Sequence, residues 1–265
     1  GEAPLLEVSR VSKRFGGVQA VREVSFRVER GTVKGLIGPN GAGKTTLFNL
    51  VSGHLAPDQG EIRLRGAPIQ GRPPHRIAAM GLSRTFQNIK IFGHMTALEN
   101  VMVGRHVRSR AGMLSGMLPL PATRREERGI ERSALEALDL LGASALAHQE
   151  AGSLSYGQQR AVELARALAA EPELLLLDEP AAGLNIRETA DLTARIGRIR
   201  DRGVTVLVVE HDMSLVMGVS DEVVVLSYGE KIADADPASV QRHPDVVRVY
   251  LGEETDRKST RLNSS

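Results

Sequence analysis

The sequence predicts an α/β fold: a mostly parallel sheet, an antiparallel β region ahead of it, and a block of helices inserted into it. Three observations carry this. Strand-forming runs at residues 33–37, 174–177 and 204–209 alternate with segments of helical period, as buried strands and crossover helices do. Residues 6–28 hold two alternating apolar runs with no helix between them. Residues 38–46, Gly-Pro-Asn-Gly-Ala-Gly-Lys-Thr-Thr, have the form G-x-x-x-x-G-K-T and sit between a strand and a helix.

Bulk composition narrows the class. Hydrophobic residues are 42% and charged residues 25% of the chain, the usual balance for a globular protein. The absence of Cys excludes disulfides, Cys-ligated metals and a cysteine nucleophile. The longest apolar runs are too short to span a bilayer, and the N-terminus carries no charged-then-apolar signal segment. Arg257, Lys258 and Arg261 stand against Asp256, so residues 256–265 hold the whole formal excess of +2. With that segment set aside the chain is neutral, and no nucleic-acid partner is expected.

In chain order, Leu6 and Val8 alternate with polar neighbours and read as a strand. Lys13-Arg14-Phe15-Gly16-Gly17 follows. Phe15, one of only five Phe in a chain without Trp, has two equal readings: a ring placed to stack on a base, or a core plug. Val24, Phe26 and Val28 give a second strand ending near Gly31. The run 33–37 then enters the glycine loop. Gly38, Gly41 and Gly43 lack Cβ, so the backbone around Pro39, Asn40 and Ala42 can curl its N–H groups onto an anion at the helix N-terminus. Lys44 would reach the β- and γ-phosphates of a nucleotide, and the Thr45 hydroxyl, with Thr46 beside it, would hold Mg²⁺. The helix runs over 45–51 and stops at Gly53.

Pro57-Asp58-Gln59-Gly60 is a turn, and Ile62 and Leu64 make a short strand. Residues 82–86 read as a strand followed by Gln87, a residue able to contact a metal or a water but equally at home in a plain loop. Residues 88–152 change character and contain no β pattern. Thr96 with Glu99 and Thr123 with Glu126 form capping boxes, and Ala134, Leu135, Leu138 and Leu141 make a helical stripe that stops at Gly142. Between these helices residues 112–121 are rich in Gly, Pro, Met and Leu, suiting either a partner or the helices themselves. Ser155 with Gln158 is a third capping box, opening a helix with Ala161, Leu164, Ala165 and Leu168 on one face. Ser155, Gly157 and Gln158 at that helix start suit an anion, as they suit an ordinary cap.

The four-Leu run 174–177 ends in Asp178-Glu179-Pro180. Carboxylates at the C-terminal edge of a buried parallel strand lie where ligands sit in an open α/β sheet. Asp178 would serve Mg²⁺ and Glu179 would polarise an attacking water. A helix near 187–200 follows, then the strand 204–209, with His211 just past its end. A lone histidine is usually structural; this one is favoured by its position. A further strand at 223–226, a Tyr228-Gly229 turn, a short strand at 231–233, and short helices opened by Asp236-Pro237 and by Pro244 complete the chain.

Taken together, the glycine loop 38–46, Gln87, the Leu-Ser-Tyr-Gly-Gln stretch 154–158, the Leu-Leu-Leu-Leu-Asp-Glu-Pro stretch 174–180 and His211 resemble the ATP-binding subunit of ABC transporters. The resemblance runs from Leu5 to about Glu254. Within that family, Arg14-Phe15-Gly16-Gly17, the stretch 83–88, Ala181-Ala182-Gly183-Leu184-Asn185, Glu210-His211-Asp212-Met213 and the ending 243–253 are similar to the ATPases of branched-chain amino acid importers. Tyr156 and Asn185 depart from the broad family pattern, which has Gly and Asp there, and agree with this subgroup.

The resemblance implies a P-loop NTPase core with a helical subdomain at about 88–160, in a single ATPase domain over 1–254. It implies ATP and Mg²⁺ as cofactors, with Phe15 stacking on adenine, Gln87 sensing metal and water, and His211 meeting the γ-phosphate. Ser155, Gly157 and Gln158 would grip the nucleotide of a second ATPase subunit, identical or not. Two integral-membrane permeases would be driven by that dimer, a periplasmic solute-binding protein would take part indirectly, and the chain would sit peripherally on the cytoplasmic face of the inner membrane. The helical insertion would carry the motion.

Other readings fit less well. A chromosome-maintenance ATPase needs a long heptad insertion, for which 88–152 has no room. A translation-factor ATPase normally carries two cassettes, and a P-loop kinase lacks the 154–158 stretch. An ABC ATPase for amides, urea or lipopolysaccharide is the nearest rival, because the solute contacts other subunits.

Residues 255–265 are expected to be a disordered tail, and 256–265 not to be natural protein. They are polar and without period, and the ten residues can be written in codons that resemble a common short-read sequencing adapter translated in frame. The underlying nucleotide sequence tests this.

Overall fold

The computed structural model describes residues 2–113, 124–211 and 213–250. The expected capping box at Thr123, most of the segment 112–121 and the tail 255–265 therefore lie outside the described residues. The chain divides into two compact units, Gly1–Gly71 with Leu207–Ser265, and Arg72–Val206.

In the first unit, β1 (Leu6–Phe15) and β2 (Val18–Val28) form the expected antiparallel pair. After β3 (Val33–Ile37) and α1 (Lys44–Val51), β4 (Gln59–Leu64) pairs with the other edge of β1, and β5 (Ala67–Pro68) follows it. The register sets Val8 opposite Phe26 on one side and Ile62 on the other, so the alternating residues share one buried face. β2 begins six residues earlier than its apolar alternation starts, because its pairing follows β1 back to the Gly16-Gly17 turn.

Every residue of β3 is buried. It runs parallel to β9 (Glu222–Ser227), which turns back through Tyr228-Gly229 into β10 (Glu230–Ala235). Tyr228 and Gly229 both have positive φ, 48° and 79°, the twist that a two-residue hairpin requires. Lys34 is buried in β3, where its ammonium meets Glu222 at 2.8 Å and Asp234 at 2.7 Å. α7 (Met213–Val219) and α8 (Pro237–Arg242) complete this unit, the latter capped by Asp236 as expected.

The second unit opens with α2 (Pro74–Ala79) and β6 (Leu82–Arg84), which runs parallel to β7 (Leu174–Asp178). Between them come α3 (Ala97–Met113), α4 (Arg124–Leu140) and α5 (Tyr156–Ala169), the expected helical block, packed on one another. Thr96–Glu99 and Ser155–Gln158 are reciprocal capping boxes, as read. Asn185 and Glu188 form another at the start of α6 (Ile186–Asp201), which the sequence reading missed. β8 (Thr205–Glu210) is the strand along which the chain leaves this unit.

Two expectations need correction. Leu135 is 37% exposed and does not belong to the α4 stripe; Ile130, Ala134, Ala137 and Leu138 carry it, because 135 stands about 100° round the helix from 134. The block 88–152 also holds one antiparallel bridge, Thr96 with Glu150, flanked by bonds from Ala97 N–H to Gln149 and from Ala151 N–H to Met95.

Candidate functional site

The first unit holds the glycine loop, Phe15 and His211. α1 starts at Lys44, one residue ahead of the expected start, behind Gly43 at φ 98°. No side chain caps it, and a helix N-terminus at the end of a glycine loop is the kind of place where an anion binds. A Cβ on Gly43 would stand 2.5 Å from the Ala20 carbonyl, and one on Gly38 2.9 Å from the Ala42 side chain. The Tyr228-Gly229 hairpin fastens the same loop: Gly229 N–H donates to the Ala42 carbonyl at 2.9 Å, and Arg22 N–H to the Gly229 carbonyl at 2.8 Å. Lys44 is buried, its ammonium donating to the Gly38 carbonyl at 2.5 Å, which folds it across the loop.

Phe15 is 46% exposed at the end of the β1–β2 hairpin, which removes the core-plug reading. The Lys13 ammonium lies 5.5 Å from its ring centroid. The Asp58 carboxylate accepts from Arg14 N–H at 2.7 Å and fixes this turn; that bond, with the Lys13 charge, holds its pKa below the usual range. His211 is exposed just beyond the buried end of β8.

The second unit holds the acids, Gln87 and the 154–158 stretch. Asp178 is the last, buried residue of β7. Glu179 takes φ 46°, a left-handed conformation that reverses the chain there and costs about 1 kcal/mol or more unless surrounding structure holds it. Both carboxylates are engaged by one segment, 84–87. Gln87 Nε2 donates to Glu179 Oε2 at 2.6 Å, and Arg84 Nη2 meets Asp178 Oδ2 at 3.3 Å. Burial raises the Asp178 pKa, and the Arg84 guanidinium opposes that rise.

The same segment is tied to α5. Arg160 donates to the carbonyls of Phe86 at 3.2 Å and Gln87 at 3.0 Å, to the Tyr156 hydroxyl at 3.1 Å, and to Glu163 Oε1 at 2.9 Å. Glu163 accepts from Lys90 N–H at 3.1 Å, and Arg166 donates to the Lys90 carbonyl. Ser155 Oγ accepts from Gln158 N–H at 3.3 Å and Gln158 Oε1 from Ser155 N–H at 3.0 Å; Gly157, between them, approaches Glu188. Sequence reasoning missed Arg84, Arg160 and Glu163. Arg84 stands two residues after buried Leu82 on β6, which was the one signal that could have found it.

A glycine loop ending in an uncapped helix start and a buried lysine, with tandem carboxylates after a buried parallel strand, defines a nucleotide-binding P-loop protein of α/β class. The chain matches the family model of the ABC transporter over residues 21–182 and that of the branched-chain amino acid ATP-binding cassette transporter over residues 230–256. It belongs to the ABC transporter family and is an ATP-binding cassette, the ATPase component of that family.

It is 48% identical over 251 residues to the high-affinity branched-chain amino acid transport ATP-binding protein BraF of Pseudomonas aeruginosa, covering 94% of this chain and 98% of that protein. With LivG of Escherichia coli K12, a protein described in the same terms, identity is 43% over the same shares. The fold is that of the ADP conformation of MJ1267, an ATP-binding cassette of an ABC transporter, with TM-score 0.82 and 31% identity over 95% of this chain and 100% of that one.

Proposed function

We infer that this chain is the ATP-hydrolysing subunit of an importer for branched-chain amino acids. The observation that carries the hydrolytic part is the Gln87–Glu179 bond, which presents an ordered carboxylate next to an amide. Glu179 would take a proton from the attacking water, and Gln87 would orient both. Lys44 and the α1 N-terminus would bind the phosphates, Thr46 would support them, Phe15 would stack on the base, and His211 would meet the γ-phosphate.

Among the described residues no group of three His, Cys, Asp or Glu is placed to hold a metal ion. Thr45 and Asp178, with the Gln87 amide oxygen, are hard oxygen donors. They fit Mg²⁺, which keeps several waters and takes phosphate oxygens as its remaining ligands. Bound there, the ion would neutralise charge on the β- and γ-phosphates.

The Ser155, Gly157 and Gln158 end of α5 would close on the nucleotide of a second ATPase subunit, so each site needs two chains. A groove of about 450 Å³ in the second unit, lined by Phe86, Lys90, Phe92, Val103 and Arg166, is the expected seat of a permease segment. Phe92 is 52% exposed there, which supports placing the docking face within residues 88–122, of which 114–122 lie outside the described residues. No helix among the described residues is long and apolar enough to cross a membrane. The names of BraF and LivG support branched-chain amino acids as the solute.

Two experiments test this. Glu179→Gln should bind ATP normally and hydrolyse it about 10²–10⁴-fold more slowly, accumulating as a dimer on a sizing column. Near-normal turnover would pass the role to another residue. Expression in an Escherichia coli strain lacking LivG should restore labelled leucine uptake, and failure with the protein present at the membrane would argue for another solute.

A further inference from the structure

Arg84 has no part in the reading above, yet it touches the residue assigned to the metal. It ends β6, aligned with Leu176 in the parallel β6–β7 register, which brings its side chain to the C-terminal end of β7. The guanidinium and the Asp178 carboxylate lie 3.3 Å apart, and their side chains are only 7% and 9% exposed. The Phe86 ring centroid lies 4.5 Å from the guanidinium carbon, within cation–π range. Thr85 adds a second tie: its hydroxyl accepts from Asp178 N–H at 3.3 Å, and its own N–H donates to the Leu176 carbonyl at 2.9 Å.

A buried carboxylate without a counter-ion is costly, and a monovalent cation against it lowers that cost. The same cation repels a divalent ion approaching the same oxygens. We propose that Arg84 is an internal counter-ion, a positioning residue that pairs with the Asp178 carboxylate and aims it while no metal is bound and yields it when Mg²⁺ arrives with nucleotide. Arg84 thereby weakens Mg²⁺ affinity and stabilises the metal-free protein. This rests on Asp178 being a metal ligand.

The test compares the full-length wild type with Arg84→Gln, Arg84→Lys and Asp178→Asn. Thermal unfolding is recorded in EDTA, then with ADP while MgCl₂ is titrated. Arg84→Gln should unfold at lower temperature in EDTA, but gain a larger shift from Mg²⁺ with ADP, with the half-saturating Mg²⁺ concentration falling roughly tenfold. Arg84→Lys keeps the charge and loses the planar guanidinium beside Phe86, so its half-saturation should fall by about threefold. The Lys variant decides the matter should the Gln variant not fold.

A merely structural arginine would lower every midpoint by the same amount and leave Mg²⁺ half-saturation unchanged, which overturns the proposal. Asp178→Asn separates the two layers. If it abolishes the Mg²⁺ response while the Arg84 variants leave half-saturation unmoved, the counter-ion idea alone fails. If Asp178→Asn leaves the Mg²⁺ response intact, the metal assignment itself fails.

Discussion

Replacing Arg160 by Met should be among the most damaging single changes in the second unit. The Arg160 and Glu163 side chains are 2% and 4% exposed, and they face each other at 2.9 Å. Met fills much of the volume, so the cavity left is small. What remains is a buried carboxylate that has lost its nearest cation, worth about 3–5 kcal/mol. That corresponds to a fall in the melting midpoint on the order of 10 °C for a chain of this size.

The effect should depend on pH with a definite sign. Burial outweighs the Lys90 N–H bond and the Arg160 charge, so the Glu163 pKa is raised in the folded protein. A carboxyl whose folded pKa is raised binds its proton more tightly folded than unfolded. Stability therefore declines as pH climbs from the ordinary carboxylate range through the raised value. Without Arg160 the folded pKa rises further and the window widens upward. The gap between variant and wild type should then grow as pH rises above the ordinary carboxylate range in urea denaturation. Adding Glu163→Gln to Arg160→Met should recover part of the loss and flatten the pH dependence, since it removes the stranded charge. A cost below about 1 kcal/mol, or a double variant no better than the single one, would refute the argument.

Three further outcomes are expected. Lys44→Ala should abolish ATP binding or nearly so in equilibrium dialysis, and full affinity would remove the phosphate-loop assignment. Phe15→Ala should raise the ATP dissociation constant about tenfold or more, the worth of one stacked base, while kcat at saturation stays near wild type. Gly43→Ala forces φ 98° on a residue with a Cβ aimed at the Ala20 carbonyl, so it should cost at least about 2 kcal/mol in denaturant melts as well as nucleotide binding.

What could be read from the chain alone was whatever consecutive residues determine. The glycine loop, the tandem acids and two capping boxes each sit within a few positions, and the structure forms them where they were read. The antiparallel opening was readable because alternation is itself the pairing face. Arg84 and Arg160 were not, because a buried arginine and a surface arginine look identical in a string. Their positions follow from the β6–β7 register and from α5 packing on residues 86–90, which are pairings at long range. Phe15 failed differently: its spacing allowed two readings, and only its exposure separates them. Leu135 shows the reach of periodicity, which identifies a stripe but not its edge.

The seating of Gly43 and Gly229 against the Ala20 carbonyl bears on the order in which the molecule assembles. Three segments meet there: β2, made early; the glycine loop, next in line; and the β9–β10 hairpin, nearly two hundred residues downstream. During synthesis the loop and its lysine emerge long before the hairpin that buttresses them. Contacts of such sequence separation form late and slowly. A nascent chain released before the hairpin would contain every residue of the phosphate loop and still lack the Gly229–Ala42 bond. The bond that ties the loop to Gly229 is thus available to it only once the β9–β10 hairpin has been made.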